Sequence, residues 1–412
     1  MNLVMDYTES IRWLYSRQES GIKLGLTSII KLLNELKVPD PKMPIIHVAG
    51  TNGKGSTCAF MDSILRASGH RTGLFTSPHL ISFRERISLD GIPANERDIA
   101  ETLTLLKELV SEWEEVPTFF EITTALAFKL FTEKKMDVAV VEVGLGGRLD
   151  STNSVLPSVC VITPISFDHQ HILGETITEI ANEKAGIIKE RVPVISAPQH
   201  KDARAVLDSK AKEMGTSVQY VENSLDRESI SLQGKHQRQN AALAVAALEN
   251  CHLEISRDSY AKGLADTKWR GRFEQFPQKS GKDIIIDGAH NIEGAKALVR
   301  TWEEVYGDTK AVVIFAAAAN KDLPSLINVI SQIAAIIICT EPNTPRKLAR
   351  PEDIAQLIPS HIPNEYEGSV QNAIRKAESS NRHILIVGSL FLAGEALSIL
   401  DGENLALEPS DQ

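Results

Sequence analysis

The stretch HVAGTNGKGST, residues 47–57, gathers three glycines around one lysine. Gly50, Gly53 and Gly55 let backbone N–H groups close around phosphate oxygens, and Lys54 adds a positive charge. The usual order puts a hydroxyl directly after the lysine. Here Gly55 intervenes, and Ser56 and Thr57 come one and two places later. Either hydroxyl can reach a magnesium ion. The apolar run PIIHVAG reads as a strand and STCAFMDSILRASG as a helix, which is the setting a phosphate loop needs. A glycine-rich turn with an exposed lysine is the plainer reading; the strand-loop-helix order favours a nucleotide.

Other reactive residues stand where apolar ones are expected. Glu142 lies inside the strand pattern DVAVVEVG, where an unpaired carboxylate costs several kcal/mol. At the carboxyl end of a parallel strand it would face a ligand crevice and could hold a metal; an edge position or a salt bridge would also account for it. Glu121 reads differently: TFFE, from Thr118, fits a helix capping box. His169 and His171 are spaced H-x-H, but no further soft ligand lies at zinc-finger spacing. In ITEIANEKAGII, Ile177, Ile180, Ala181, Ile187 and Ile188 form one stripe, and Lys184 falls within it. Such a lysine either snorkels at an edge or is held in a pocket. In a pocket, desolvation would lower its pKa and free its amine, which can take up carbon dioxide as a carbamate.

The elements that must position these residues alternate along the chain. RTGLFTS, VCVITPI and VPVISAP read as further buried strands, and ERDIAETLTLLKELVSEW and ARAVLDSKAKEM as helices. Continuous apolar strands separated by helices imply a parallel sheet covered on both faces. A polar stretch, FEQFPQKSGKD, breaks the pattern at residues 273–283, after which the alternation restarts. Domains are therefore expected at 1–278 and 279–412. The net charge of −10 argues against nucleic acid or an anionic membrane as partner. Four scattered cysteines suggest neither a disulfide framework nor zinc. With no basic signal segment and no apolar run of spanning length, a cytoplasmic enzyme is expected.

In order, the chain carries GIKLGL, HVAGTNGKGST, TSPHL, FRERI, TFFE, VVEVGLGGRLDSTN, DHQHILG, NEKAGIIK, GKHQRQNA, GRFE, DGAHN and GSLFLAGE. This series resembles the folylpolyglutamate synthase / dihydrofolate synthase family of the Mur ligase superfamily. The resemblance implies an α/β protein of two domains. The first is a phosphate-loop ATPase-like, mostly parallel sheet; the second is a smaller Rossmann-like domain. It implies an ATP-dependent amide ligase that transfers the γ-phosphate to a carboxylate and lets L-glutamate attack the acyl phosphate. By the same resemblance, Gly53, Lys54, Gly55, Ser56 and Thr57 hold the phosphates, while Asn240, Arg272, Asp287 and His290 are further ATP contacts. Ser77, Glu142 and His169 match magnesium ligands, two magnesium sites being expected, and Lys184 matches a carbamylated lysine. Catalysis would rest on Lys54, His169 and Lys184. Thr118, Phe120 and Asp150 match the pterin wall, and Ile22 and Leu24 a loop over the pterin.

Three residues or segments depart from the family pattern. Lys23 replaces an acid found in some dihydrofolate synthases, FAAAANKD replaces a glycine-bearing segment, and Arg270 stands where proline is common. A cell-wall ligase would need a separate domain before the phosphate loop, and the 43 residues before Pro44 are expected to be too few. Two competing functions are a ligase acting on a non-folate acid and a nucleotide-binding protein without catalysis. The reading preferred is a monomeric ligase acting on a folate or dihydropteroate and L-glutamate.

Overall fold

Five consecutive buried residues, Ile45–Ala49, form the strand β1 that leads into the glycine loop. The computed structural model describes residues 4–18, 25–40, 42–225, 228–278, 281–344, 347–402 and 407–408. Its first sheet also contains β2 (Thr72–Phe75), β3 (Ile87–Leu89), β4 (Ile92–Pro93), β5 (Val138–Glu142), β6 (Val159–Ile162), β7 (Val194–Ser196) and β8 (Val218–Tyr220). The order is β4-β3-β2-β5-β1-β6-β7-β8. From β2 to β8 the strands are parallel; β3 and β4 pair antiparallel at one edge. The central strands β1, β5 and β6 are buried at every residue, as a parallel sheet covered on both faces requires.

Helices flank this sheet, and their ends are set locally. The helix Lys54–Ala67 starts at Gly53 and is buried continuously from Ser56 to Leu65. Thr118 and Glu121 form the expected capping box at the start of Phe119–Glu133. A second box, Thr176 with Glu179, opens Ile177–Ala185. That helix ends sooner than its apolar stripe suggests. A Cβ at Gly186 would lie 2.3 Å from Arg148 Cβ, so the chain turns there to pack on the loop carrying Arg148. Ile187 and Ile188 remain buried in the same cluster as Ile180 and Ala181, beyond the helix.

The second sheet contains β9 (Glu274–Pro277), β10 (Asp283–Ile286), β11 (Ala311–Phe315), β12 (Ala334–Thr340), β13 (Asn364–Glu367) and β14 (Ile384–Val387). Its order is β13-β12-β11-β14-β10-β9, parallel except for β9. Alternate strand residues face opposite cores. Ile285, Val313 and Phe315 pack with Leu298, Trp302, Leu326 and Ile354; Ile284, Ile286, Val312 and Ile314 pack with Ile374, Leu392 and Leu397. This is a doubly wound α/β unit.

Strand residues stand at both ends of the polar stretch 273–283, with β10 beginning at Asp283. The first part of the stretch is the edge strand β9, whose alternating exposure leaves one face to solvent and so looks polar in sequence. By contacts, one compact unit comprises Met1–Pro78, Arg84–Ser231 and Arg238–Thr267; the other comprises His79–Phe83, Leu232–Gln237 and Lys268–Gln412. Among the described residues no helix is long and apolar enough to cross a membrane. The four cysteines are buried and free.

Candidate active site

Backbone geometry builds the phosphate loop. Gly50 has φ +145° and Gly53 φ +88°, which L side chains rarely adopt. A Cβ at Gly50 would lie 1.8 Å from Thr163 Oγ1, and one at Gly53 2.5 Å from Asn240 Oδ1. The loop is anchored to the segment after β6. Thr51 N donates to Pro164 O at 3.0 Å, and Thr51 Oγ1 donates to Ser166 O at 3.1 Å. Gly55, Ser56 and Thr57 occupy the first turns of the helix. Thr57 Oγ1 is buried without a hydrogen-bond partner among the described residues. An orphaned buried hydroxyl, the lysine and the glycine cradle together fit a phosphate group and its cation.

Glu142 is the last residue of β5, at the carboxyl edge of the sheet, and only 5% exposed. Oε2 accepts from Ser77 N at 3.1 Å, and Oε1 lies 3.9 Å from Lys54 Nζ. The structure thus brings Lys54, Ser77 and Glu142 together, and the carboxylate gains both a donor and a countercharge. His169 starts the short helix Gln170–Leu173 with φ +50°. Its amide donates to Asp168 Oδ1 at 2.9 Å, and its Nε2 lies 3.9 Å from the same oxygen. Among the described residues no three His, Cys, Asp or Glu side chains form a metal cage. Magnesium suits such a place, because it keeps several waters and takes one or two carboxylates plus phosphate oxygens.

Lys184 is held in a pocket rather than snorkelling. It is 4% exposed and its Nζ donates to Gly50 O at 2.8 Å. Burial, reinforced by the positive charge of Lys54 and opposed by the pull of Asp168 and Asp150, brings its pKa from 10.5 down to about 7. The neighbouring loop fixes this helix. Arg148 N donates to Glu183 O at 2.7 Å, and Arg148 Nη2 pairs with Glu183 Oε1 at 2.8 Å.

Phe120 is the second residue of the helix Phe119–Glu133, with its ring 5.8 Å from that of Phe75 and tilted by 34°. A Cβ on Gly144 would lie 2.4 Å from Phe120 Cζ, so the glycine gives the ring its place. Thr118 Oγ1 donates to Glu121 Oε2 at 2.9 Å. Asp150 is buried and accepts from Leu145 N at 2.8 Å and Thr152 N at 3.0 Å. Burial raises its pKa, opposed by the Thr152 hydroxyl and backbone donors. Ser151 Oγ donates to Phe120 O at 3.4 Å, which ties Phe120 to the turn after Asp150. Ile22 and Leu24, with Lys23, lie outside the described residues. Sequence reasoning missed His47 and Thr152; a histidine in the middle of the apolar run IIHVA was the available signal.

Asn240, a residue of the first unit, is buried in the helix Lys235–Glu249. The other expected nucleotide contacts belong to the second. Asp287 follows β10; its carboxylate accepts from Phe273 N and Ala289 N, each at 2.8 Å. Burial raises its pKa while the Arg272 charge lowers it. His290 Nδ1 is 2.8 Å from Gly288 O. Two departures from the family pattern find a local account here. No residue of Ala316–Ala319 has positive φ, and the segment pairs with Lys347–Ala349 through Ala319 N to Lys347 O, 3.1 Å, and Ala349 N to Ala317 O, 2.9 Å. Arg270 pairs with Glu274 at 2.7 Å and Asp401 at 2.9 Å.

A phosphate loop on a parallel sheet, followed by a doubly wound unit, is the fold that comparison with known proteins identifies as a Mur-type ligase. Residues 48–195 match the Mur ligase middle domain, and residues 271–390 the Mur ligase glutamate ligase domain. The dihydrofolate synthase/folylpolyglutamate synthase of Bacillus subtilis is 36% identical over 94% of this chain and 98% of its own. The Escherichia coli FolC structure with DHPP and ADP superposes with a TM-score of 0.88 at 27% identity, covering 97% of this chain and 99% of that one. The bifunctional folylpolyglutamate synthase/dihydrofolate synthase of Yersinia pestis, solved with AMPPNP and a manganese ion, gives 0.86 at 27% identity, covering 96% and 98%. The chain belongs to the folylpolyglutamate synthase / dihydrofolate synthase family, the family its ordered motifs resemble, whose members are ATP-dependent ligases.

Proposed function

We propose that this enzyme joins L-glutamate to folate carboxylates and also to 7,8-dihydropteroate, releasing ADP and phosphate. The observation that carries this reading is the meeting of Lys54, Ser77 and the buried Glu142 beside the phosphate loop. Lys54 and the backbone of Gly53 to Thr57 hold the ATP phosphates, with Asn240, Arg272, Asp287 and His290 as further nucleotide contacts. A carboxylate oxygen of the substrate attacks the γ-phosphorus, the bond to ADP breaks, and an acyl phosphate forms. The glutamate amine adds to the acyl carbon, loses a proton, and phosphate leaves. Enclosing these crowded anions is the protein's share of catalysis.

Ser77, Glu142 and His169 are the candidate magnesium ligands; bound magnesium would neutralise charge on the transferring phosphoryl group. A neutral Lys184 amine can bond to the carbon of carbon dioxide and release a proton. The resulting carbamate would be the anion for a second magnesium. Phe120, Thr118 and Asp150, with Ile22 and Leu24, take the pterin, Phe120 offering a ring face to a flat heterocycle. Residues 1–278 would serve ATP and pterin, and 279–412 glutamate ligation. An acidic chain with four buried free cysteines suits a reducing cytoplasm, without nucleic-acid or membrane partners, and the enzyme is proposed to act as a monomer.

The acyl phosphate is tested with dihydropteroate labelled by oxygen-18 in its carboxylate. One label should appear in the inorganic phosphate for each glutamate joined. Phosphate without label would overturn the route.

A further inference from the structure

His47, Thr152 and Asp150 form a chain of hydrogen bonds in the first unit. His47 sits in the middle of β1, fully buried, among apolar neighbours that are buried as well. Its Nε2 lies 2.8 Å from Thr152 Oγ1. The Thr152 hydroxyl has one proton, which it donates to Asp150 Oδ1. The hydroxyl must therefore accept from His47, and the imidazole carries its proton on Nε2. Burial, aided by the charge of Lys189, pushes the ring's pKa down to about 3, so the neutral form is the one present. Nδ1 is then a buried acceptor with no partner among the described residues.

That arrangement is costly for a strand centre. An unsatisfied buried acceptor costs about 1–3 kcal/mol, and an apolar residue there would avoid it. What the histidine gains lies at the other end of the chain. Asp150 Oδ1 accepts from both the hydroxyl and the amide of Thr152, and Oδ2 from Leu145 N. These donors, with Gly144 as a further backbone donor, fix its plane. The turn that follows is also tied to Phe120, through Ser151.

The geometry points to Thr152 and His47 as positioning residues of the pterin site. They hold the Asp150 carboxylate in the one orientation in which it meets an N–H of the heterocycle. This rests on the reading of Asp150 as a pterin contact.

The test is steady-state kinetics on the full chain, varying 7,8-dihydropteroate and ATP in turn. Thr152→Val keeps the shape and removes the hydroxyl. It should raise KM for dihydropteroate about tenfold, the loss of one well-placed hydrogen bond to a charged group. KM for ATP should stay within about twofold, and kcat within about threefold. Thr152→Ser, which restores the hydroxyl, should return KM to near the original value. Should Thr152→Val not fold, Thr152→Ala removes the same hydroxyl without a branched side chain, and the same outcomes apply. Asp150→Asn is the reference. If it raises KM for dihydropteroate while the hydroxyl-less variant does not, the positioning role is wrong. If both KM values rise together in the hydroxyl-less variant, the effect is general and the role is again wrong. If Asp150→Asn itself leaves KM for dihydropteroate unchanged, the pterin reading of Asp150 fails instead, and the inference with it.

Discussion

Replacing Lys184 by methionine removes the amine but keeps the length and most of the apolar volume of the side chain. The ammonium is buried and its pKa falls from 10.5 to about 7. At about 1.4 kcal/mol per tenfold, holding this group in its pocket opposes folding by roughly 4–5 kcal/mol near neutral pH. The folded-state value lies below the unfolded one, so the unfolded chain binds more protons between about pH 7 and 10.5. Stability must therefore climb with pH across that window, and the full cost applies below it. Methionine escapes this cost but leaves Gly50 O without its 2.8 Å donor, a loss of about 1–3 kcal/mol. The expected balance is a variant about 1–3 kcal/mol more stable than the parent near pH 7. That lead shrinks by about 2 kcal/mol by pH 9 as the parent's lysine is relieved. Ligation should be abolished and ATP binding largely kept. The assay is urea unfolding of both proteins in carbon dioxide-free buffer from about pH 7 to 9, beside ATP titration and ligation. Parallel stability curves would refute the depressed pKa, and normal ligation by the variant would refute the carbamate role.

Three further outcomes are expected. Glu142→Gln should shift the magnesium activation curve to about tenfold higher concentration and cut kcat about a hundredfold; an unchanged magnesium profile would count against Glu142 as a ligand. Gly53→Ala forces a side chain to φ +88°, at about 1–2 kcal/mol, and brings a Cβ to 2.5 Å from Asn240 Oδ1. KM for ATP should rise at least about tenfold, and an unchanged ATP profile would show that the loop does not need this turn. Phe120→Ala removes the stacking ring, worth about 1–3 kcal/mol for a heteroaromatic base, and KM for dihydropteroate should rise about tenfold with KM for ATP unchanged.

The central strands were legible because parallel strands covered on both faces read as unbroken apolar runs, as in IIHVA and VAVVE. Thr118 and Glu121 were legible for a different reason: a capping box is wholly local. Periodicity put Lys184 on the apolar face but left open whether it snorkels; only its bond to Gly50 O, across 134 positions of chain, decides that. Edge strands escaped notice. The strand β13 is Asn-Glu-Tyr-Glu, with alternating exposure, and β9 hid in the polar stretch 273–283 for the same reason. The link between His47 and Thr152 spans 105 positions, and no local pattern announces it. The end of the helix Ile177–Ala185 depends on Arg148, far away in sequence, pressing against Gly186.

The most direct measurement of the central claim is product mass spectrometry with magnesium, ATP and L-glutamate. One reaction contains 7,8-dihydropteroate, the other a tetrahydrofolate monoglutamate. A gain of one glutamate in both is the predicted result. A protein that binds ATP but adds glutamate to neither substrate would contradict the account, and with it the pterin roles of Phe120 and Asp150.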